Sequence, residues 1–120
     1  MQINESAENY LETIFVLSRR LGRVRSIDVA RELGFSRPSV SIRMKKLREE
    51  GDIVIDEYGF ITLTQSGERE AARIYERHTV LREALMSIGV SEKAAAEDAC
   101  RIEHVISEET FERLKSYIKR

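Results

Sequence analysis

Residues 26–51 read SIDVARELGFSRPSVSIRMKKLREEG, and this stretch decides the fold class. A short helix is expected over residues 27–33 with Ser26 as its N-cap, because a serine hydroxyl accepts hydrogen bonds from free N–H groups at a helix start. Gly34 permits a tight reversal, and Ser36 is expected to cap a second helix. The buried face of that second helix is predicted to contain Val40, Met44 and Leu47. The stretch therefore predicts a helix-turn-helix.

Residues 52–64, DIVIDEYGFITLT, predict a two-stranded hairpin directly after the helix-turn-helix. Ile53 and Ile55 lie two positions apart in a short run bounded by Asp52 and Asp56, and the Tyr58-Gly59 pair supplies a turn. Ahead of the helix-turn-helix, apolar residues recur every three or four positions across residues 7–21, which is typical of an amphipathic helix. A helix-turn-helix followed by a hairpin is a winged helix-turn-helix.

The positive charge of the chain is concentrated in this region. Residues 19–48 carry ten lysines and arginines against two acidic residues, a net charge of +8, and because the whole chain carries −1 the remainder carries −9. A basic block in an acidic chain indicates a polyanionic partner, and the winged helix-turn-helix makes double-stranded DNA the expected one. We predict DNA contacts from Arg25, Ser36, Arg37, Pro38, Ser39, Ser41, Arg43, Lys45 and Lys46. The alternative interpretation is a solvated charged face on an ordinary helical domain.

Composition limits the class of protein. The chain has 120 residues, 42% of them hydrophobic and 34% charged, which is enough for one compact unit or two small units. Its apolar runs are shorter than the roughly 18 residues that span a bilayer, and MQINESAENY at residues 1–10 lacks the features of a signal peptide. We therefore expect a cytoplasmic protein without a membrane partner. Cys100 is the single cysteine, so an intramolecular disulfide is excluded.

The second half of the chain predicts three helices. Apolar positions step by three and four residues along a long helix from about residue 66 to residue 89, and His78 occupies one of these positions. Ser91 and Ser107 are expected to cap two further helices.

These elements predict a mainly α chain with a small β-hairpin. Residues 1–64 are expected to form a winged helix-turn-helix DNA-binding domain, and residues 65–120 a helical metal-binding and dimerisation domain. A homodimer would suit a palindromic operator, because a two-fold protein reads a two-fold site. The apolar stripes of the second domain could equally form an internal core.

The stretch EDACRIEHVIS, residues 97–107, places Cys100, Glu103 and His104 on one face of a predicted helix. A thiolate, a carboxylate and an imidazole that converge can bind a first-row divalent ion, and His78 could complete the set. The more common interpretation of three such residues is a core histidine, a small buried cysteine and a surface glutamate.

Several of these stretches resemble one known family. They are AENYLETI (7–14), ARELGFSRPSVS (30–41), LTQSGERE (63–70), Arg77-His78, IGV (88–90) and DACRIEHVIS (98–107). In this order they resemble the metal-dependent repressors typified by the diphtheria toxin repressor and the manganese transport regulator. The resemblance implies a homodimeric repressor of metal-uptake genes that binds its operator when Fe(II) or Mn(II) is bound.

The resemblance also implies a ligand set. The implied metal ligands are Asn9, Glu12, His78, Cys100, Glu103 and His104. Cys100 matches the iron-responsive type, Glu12 matches the manganese-responsive type, and Asn9 matches neither. Fe(II) is the first choice because a thiolate favours softer ions, Mn(II) is the alternative, and Zn(II) or Co(II) would bind in vitro.

Two departures from the iron-responsive type are expected to matter. Ala96 and Arg82 stand where that type has a histidine and a glutamate, so its ancillary iron site is not expected here. The sequence also shows no counterpart of the SH3-like third domain of larger members.

The positions of the implied ligands suggest a mechanism. Glu12 and Asn9 belong to the predicted DNA-binding domain and the other ligands to the predicted dimerisation domain. An ion held by both would fix the angle between them, and a hinge near residues 64–66 would be looser without it.

Three other functions remain open from the residues alone. A winged-helix regulator could sense oxidants through Cys100, which requires an exposed thiol of low pKa. A regulator of an organic ligand would need an apolar pocket. A small metalloenzyme is disfavoured because no extra general base accompanies the ligands, so enzymatic activity is not expected.

Overall fold

The computed structural model describes residues 6–119, so residues 1–5 of the stretch examined for a signal peptide lie outside it. The elements in chain order are α1 (Ala7–Leu21), α2 (Ser26–Leu33), α3 (Arg37–Glu49), β1 (Ile53–Ile55), β2 (Ile61–Leu63), α4 (Gln65–Ser87), α5 (Glu92–Ile102) and α6 (Glu108–Ile118). This order confirms the predicted fold class, a mainly helical chain with one hairpin.

The chain divides into two compact units, and their boundary falls within α4. The first unit extends to Ala72 and the second begins at Arg73. The functional division predicted after residue 64 stays a prediction. Among residues 6–119, no helix has the length and apolar character needed to cross a membrane.

The first unit is built around a cluster of apolar side chains. α1 begins at the cap Ser6, whose hydroxyl accepts from the Asn9 N–H at 3.2 Å, and it buries one face along its length. The cluster consists of Tyr10, Leu11, Ile14, Phe15, Leu17, Val24, Val29, Ala30, Val40, Met44, Leu47, Ile53, Ile61 and Ala71. Burial of this apolar surface is the main source of stability for the helix-turn-helix and the hairpin.

The cap of α2 differs from the prediction. Ser26 is the first helical residue, and the extended residue before it, Arg25, is the N-cap. The Asp28 carboxylate accepts from the Arg25 N–H at 2.9 Å, so an acidic residue in the first turn ties the helix to the residue before Ser26.

The turn and the helix that follow agree with the sequence. Gly34 adopts a left-handed conformation with φ of 73°, as the predicted reversal requires. Ser36 caps α3 by accepting from the Ser39 N–H at 3.3 Å, and Pro38 lies in the first turn. The inward residues Val40, Met44 and Leu47 are buried, as predicted.

The hairpin is antiparallel and is extended by one residue from elsewhere in the chain. β1 and β2 pair Ile53 with Leu63 and Ile55 with Ile61. The turn is closed by the Asp56 carboxylate, which accepts from two backbone N–H groups at 2.9 Å each. The Ile61 N–H also donates to the Val24 carbonyl at 2.7 Å, a pairing that the sequence did not predict.

The start of α4 is fastened to the turn between α3 and β1. The Thr64 hydroxyl donates to the Gly51 carbonyl at 2.7 Å, and the Ser66 hydroxyl donates to the Asp52 carboxylate at 3.1 Å. A Cβ on Gly67 would overlap the carbonyl oxygen of Asp52. The segment in which a hinge was expected is therefore held by hydrogen bonds within the first unit.

The second unit consists of the later part of α4 together with α5 and α6. Ser91 and Ser107 cap α5 and α6, as predicted, by accepting from Ala94 N–H and Thr110 N–H at 3.3 and 3.1 Å. The buried apolar residues of this unit are Ile74, Val80, Leu81, Ala95, Ala99 and Phe111. Ile88 at the end of the predicted seam is 76% exposed.

α5 ends earlier than predicted. Its last helical residue is Ile102, so Glu103 and His104 follow the helix instead of lying on it. Glu103 keeps a helical backbone conformation, because its N–H still donates to the Ala99 carbonyl at 2.9 Å. His104 lies in the turn that leads to α6.

Candidate metal centre and nucleic-acid interface

A fully buried carboxylate lies between two imidazoles in the second unit. Oε2 of Glu103 is 3.1 Å from Nδ1 of His78, and Oε1 is 3.3 Å from Nε2 of His104. Taking a carboxylate out of water costs several kcal/mol unless cationic or hydrogen-bonding groups compensate it. Of the predicted second-unit ligands, His78, Glu103 and His104 are therefore adjacent in the fold, and the place of Cys100 in the set stays a prediction.

Arg77 organises the turn that carries Glu103 and His104. Its Nη1 donates to the carbonyl of Glu103 at 3.3 Å and to that of Ile106 at 2.9 Å, and its Nη2 donates to Glu108 at 2.7 Å. The guanidinium carbon is 5.3 Å from the centroid of the Phe111 ring. One buried cation thus holds the end of α5 and the start of α6.

Arg77 also perturbs the carboxylate that it contacts. The hydrogen bond from Arg77 holds the pKa of Glu108 below its usual value, with a smaller opposing effect from desolvation. The sequence analysis missed Arg77, although a signal was present: residue 77 lies three positions after Ile74 and four before Leu81, on the inward side of α4.

Cys100 is a predicted metal ligand of the second unit, whereas Arg82 and Ala96 occupy the positions at which an ancillary metal site was not expected. Cys100 is half-buried on α5, one turn before Glu103. Arg82 is half-buried on α4, and its buried Nε has no hydrogen-bond partner among residues 6–119. Ala96 is half-buried on α5. Neither Arg82 nor Ala96 offers a donor atom for a cation.

Asn9 and Glu12, the predicted ligands of the first unit, are both buried side chains of α1. The Thr13 hydroxyl donates to the backbone carbonyl of Asn9 at 2.8 Å, a hydrogen bond within α1 that does not involve the Asn9 side chain. A buried carboxylate requires a compensating cation or hydrogen-bond donor. Burial of this kind is compatible with the ligand role expected for Glu12.

The donor set fits a first-row divalent ion. Carboxylate oxygens and imidazole nitrogens suit Mn(II) and Fe(II), and a thiolate from Cys100 would shift the preference toward iron. His78 and His104 come from different elements, α4 and the turn after α5, so an ion bound to both would hold these elements together.

The predicted DNA-contacting residues lie mainly on the outward face of α3. Arg37, Pro38, Ser39, Ser41, Lys45 and Lys46 are exposed. Arg43 is half-buried, with its guanidinium 5.8 Å from the ring centroid of Tyr10. The Ser36 hydroxyl is occupied as the helix cap and donates to Ser39 Oγ at 2.9 Å, so its hydroxyl already has partners within the turn.

Arg25 lies near the turn end of the hairpin with a basic neighbour, Arg23, that was not predicted from the sequence. The guanidinium groups of Arg25 and Arg23 are 4.4 and 5.0 Å from the centroid of the Phe60 ring. Both side chains flank Val24, which is bound to β2, and alternation in an extended segment puts them on the same side. Arg23 therefore joins Arg25 as a candidate phosphate-binding residue.

Comparison with known proteins identifies the family. One family model, the iron dependent repressor N-terminal DNA binding domain, matches residues 2–59, and a second, the iron dependent repressor metal binding and dimerisation domain, matches residues 64–120. An HTH-type transcriptional regulator of Methanocaldococcus jannaschii is 33% identical over 120 residues, which cover 98% of this chain and 96% of that protein. The chain belongs to the iron-dependent repressor family.

Other relatives of this repressor support the assignment. The transcriptional regulator MntR of Escherichia coli O6:H1 is 34% identical over 116 residues, which cover 97% of the repressor and 75% of MntR. The solved structure of the manganese regulator SloR superposes with a TM-score of 0.84 at 29% identity and covers 99% of the repressor. The repressor spans only 55% of the SloR chain.

The second unit of the repressor also carries an apolar groove of about 420 Å³. It is lined by Leu81, Ala84, Leu85, Ser87, Ile88, Ile102, Ile106, Thr110, Leu114, Tyr117 and Ile118. Nine of these eleven residues are apolar or aromatic, so the groove is suited to covering by another apolar surface.

Proposed function

We propose that this repressor binds its operator when Fe(II) is held by His78, Glu103 and His104, and that it controls genes for metal uptake. The observation that carries the proposal is the fully buried Glu103 carboxylate with an imidazole on each of its oxygens. A divalent ion would supply the positive charge that a buried carboxylate requires. Cys100, Glu12 and Asn9 complete the proposed ligand set on the strength of the sequence.

The protein's own groups prepare the second unit for this role. Glu103 fixes the orientation of His78 through the hydrogen bond between its Oε2 and Nδ1 of the imidazole, 3.1 Å long. Arg77 holds the backbone of Glu103 in place by binding its carbonyl. Neighbours that orient a ligand in this way commonly change metal affinity by 10- to 100-fold when they are removed.

Mn(II) is the second candidate ion. SloR is described as a manganese regulator, and the buried oxygen donors of the repressor suit a hard ion. The observation that favours iron is Cys100, which lies one helical turn before Glu103 and offers a softer sulfur donor.

A second copy of the chain is the proposed occupant of the apolar groove in the second unit. The family model that covers this part describes a dimerisation domain, and Ile88 and Tyr117 expose 76% and 65% of their surfaces at the groove. Pairing two such faces would bury both, and a two-fold dimer would read a palindromic operator.

An anaerobic titration of operator binding with Fe(II), Mn(II), Zn(II) and Co(II) tests the proposal. The operator is first selected from random duplex DNA with the metal-loaded protein. Glu103→Gln keeps the shape of the side chain but removes its charge, and we expect metal affinity to fall by about 100-fold. Equal operator affinity of the metal-free and metal-loaded protein would contradict metal activation.

Two further variants test the ion and the ligand set. Cys100→Ala should remove the thiolate charge-transfer band of the Co(II) protein, and its absence in the unmodified protein would exclude Cys100 as a ligand. Glu12→Gln should weaken metal binding if the carboxylate of α1 is a ligand, whereas Glu8→Gln, in the first turn of the same helix, serves as the matched control.

A further inference from the structure

Ile42 is an exposed apolar residue at the centre of the outward face of α3. It is 73% exposed, although the helix is otherwise rich in charged and hydroxyl side chains. Successive residues of an α-helix are about 100° apart, so Ile42 lies roughly opposite the buried face of Val40, Met44 and Leu47. Pro38, one turn earlier, is exposed on the same side.

The surroundings of Ile42 are cationic. Lys45 and Lys46 lie three and four positions later, and both are exposed. Among residues 6–119, no carboxylate forms an ion pair with Arg37, Lys45 or Lys46. Ile42 also lines a surface depression of about 330 Å³ with Tyr10, Ser39, Arg43 and Lys46.

This arrangement favours two kinds of contact with DNA, one to phosphates and one to base edges. Free cations at the flanks of α3 suit phosphate oxygens, which position a protein on DNA without reading its sequence. The centre of the face would meet base edges, and an aliphatic side chain cannot exchange hydrogen bonds with them. The apolar group that a base presents in the major groove is the 5-methyl group of thymine.

We propose that Ile42 contacts the 5-methyl group of a thymine in each operator half-site and is a specificity-determining residue. The inference rests on the proposed operator binding. The proposal places the first turns of α3 at the base edges of the operator. It assigns Lys45 and Lys46 to contacts with phosphates.

Replacement of single thymines by uracil tests the contact, because uracil lacks only the methyl group. The probe is the operator selected anaerobically from random duplex DNA with the full chain at saturating Fe(II), substituted at one thymine at a time. We expect one thymine per half-site to show a loss of about fourfold in affinity, the value of one apolar carbon removed from a contact. Ile42→Ala should bind the thymine and uracil operators equally well.

Two control variants separate this contact from general effects. Leu21→Ala truncates another apolar side chain of the first unit that is 51% exposed, and it should retain the fourfold preference for thymine. Lys46→Ala should weaken binding to all duplexes and lower the slope of log affinity against log salt by about one, while it too retains the preference. Ile42→Ala should leave that salt slope unchanged.

Three results would overturn the inference. One is an operator in which no thymine is sensitive to loss of its methyl group. Another is a thymine preference that persists in Ile42→Ala, which would assign the methyl contact to a different residue. Recovery of no preferred sequence from the random duplexes would remove the proposed operator binding together with the inference, whereas the first two results would remove the inference alone.

Discussion

The two units of the repressor differ in the kinds of side chain that they bury. The first unit is organised by an apolar cluster that α1, α2, α3, the hairpin and the start of α4 all share. Among residues 6–119 the second unit buries fewer apolar residues and two charged side chains, Arg77 and Glu103, whereas the first unit buries one, Glu12. Apolar packing is insensitive to ions, whereas buried charges require partners. The comparison teaches that the stability of the second unit should depend on metal and pH more than that of the first.

Gly67→Ala should produce the largest loss of stability, and that loss should arise from packing within the first unit. A methyl group would overlap the Asp52 carbonyl oxygen, and because that oxygen belongs to the backbone the chain must shift, at a cost of about 3 kcal/mol. Urea denaturation would measure the loss. Gly89→Ala is the matched control: its Cβ meets no atom within 4 Å, and its φ of 101° predicts only about 1 kcal/mol of strain.

Metal addition should have the second largest effect on stability, and it should stabilise the second unit more than the first. Mn(II) at about 100 times its Kd should raise the free energy of unfolding by about 2.7 kcal/mol, because the ion binds the folded chain only. Thermal melting with and without a chelator measures the shift. Glu103→Gln, whose affinity is expected to be about 100-fold lower, should keep only about 0.4 kcal/mol of this stabilisation, and a variant that still responds fully would locate the ion elsewhere.

Arg77→Met should destabilise the second unit by about 2 kcal/mol. It removes the donor to the carbonyls of Glu103 and Ile106 and leaves buried acceptors unsatisfied. Native-state hydrogen exchange should show faster exchange in α6 and unchanged exchange in α2 and α3. Lys115→Met removes only the ion pair of Lys115 with Glu76, at 3.3 Å and partly exposed, and it should have almost no effect.

Acid should produce the smallest effect, through Glu108. Its pKa is lowered in the folded protein, so its contribution to stability is present above the ordinary value of 4.5 and is lost as the pH falls through the lowered pKa. Glu108→Gln should therefore differ from the unmodified protein at neutral pH and converge with it in acid. Denaturation between about pH 6 and pH 3 provides the measurement, and a difference that grows in acid would contradict the assignment.

The elements of the fold were predictable because their signals are local. The caps Ser36, Ser91 and Ser107, the left-handed Gly34 and the spacing of Val40, Met44 and Leu47 each depend on a few neighbouring residues, and the structure confirms them. The α2 cap and the end of α5 were misplaced, because the Asp28 carboxylate binds the Arg25 N–H and moves the cap one residue earlier, and nothing in the local sequence breaks the helix after Ile102. A single hydrogen bond can move the end of a helix by a residue or two, so helix ends are harder to predict than the helices themselves.

The sequence by itself determined the winged helix-turn-helix and the helical second half, because each has characteristic residue types at a characteristic spacing. The same reasoning predicted Cys100, Glu103 and His104 as ligands, whereas Asn9 and Glu12 were predicted from the family resemblance. Only the tertiary structure decided that Arg77 reaches the Glu103 carbonyl across 26 positions, that Val24 pairs with β2, and that Glu103 is wholly buried. The physical reason is range: caps and periodicity act within one or two turns, whereas burial and the pairing of distant charges exist only after separate elements have packed together.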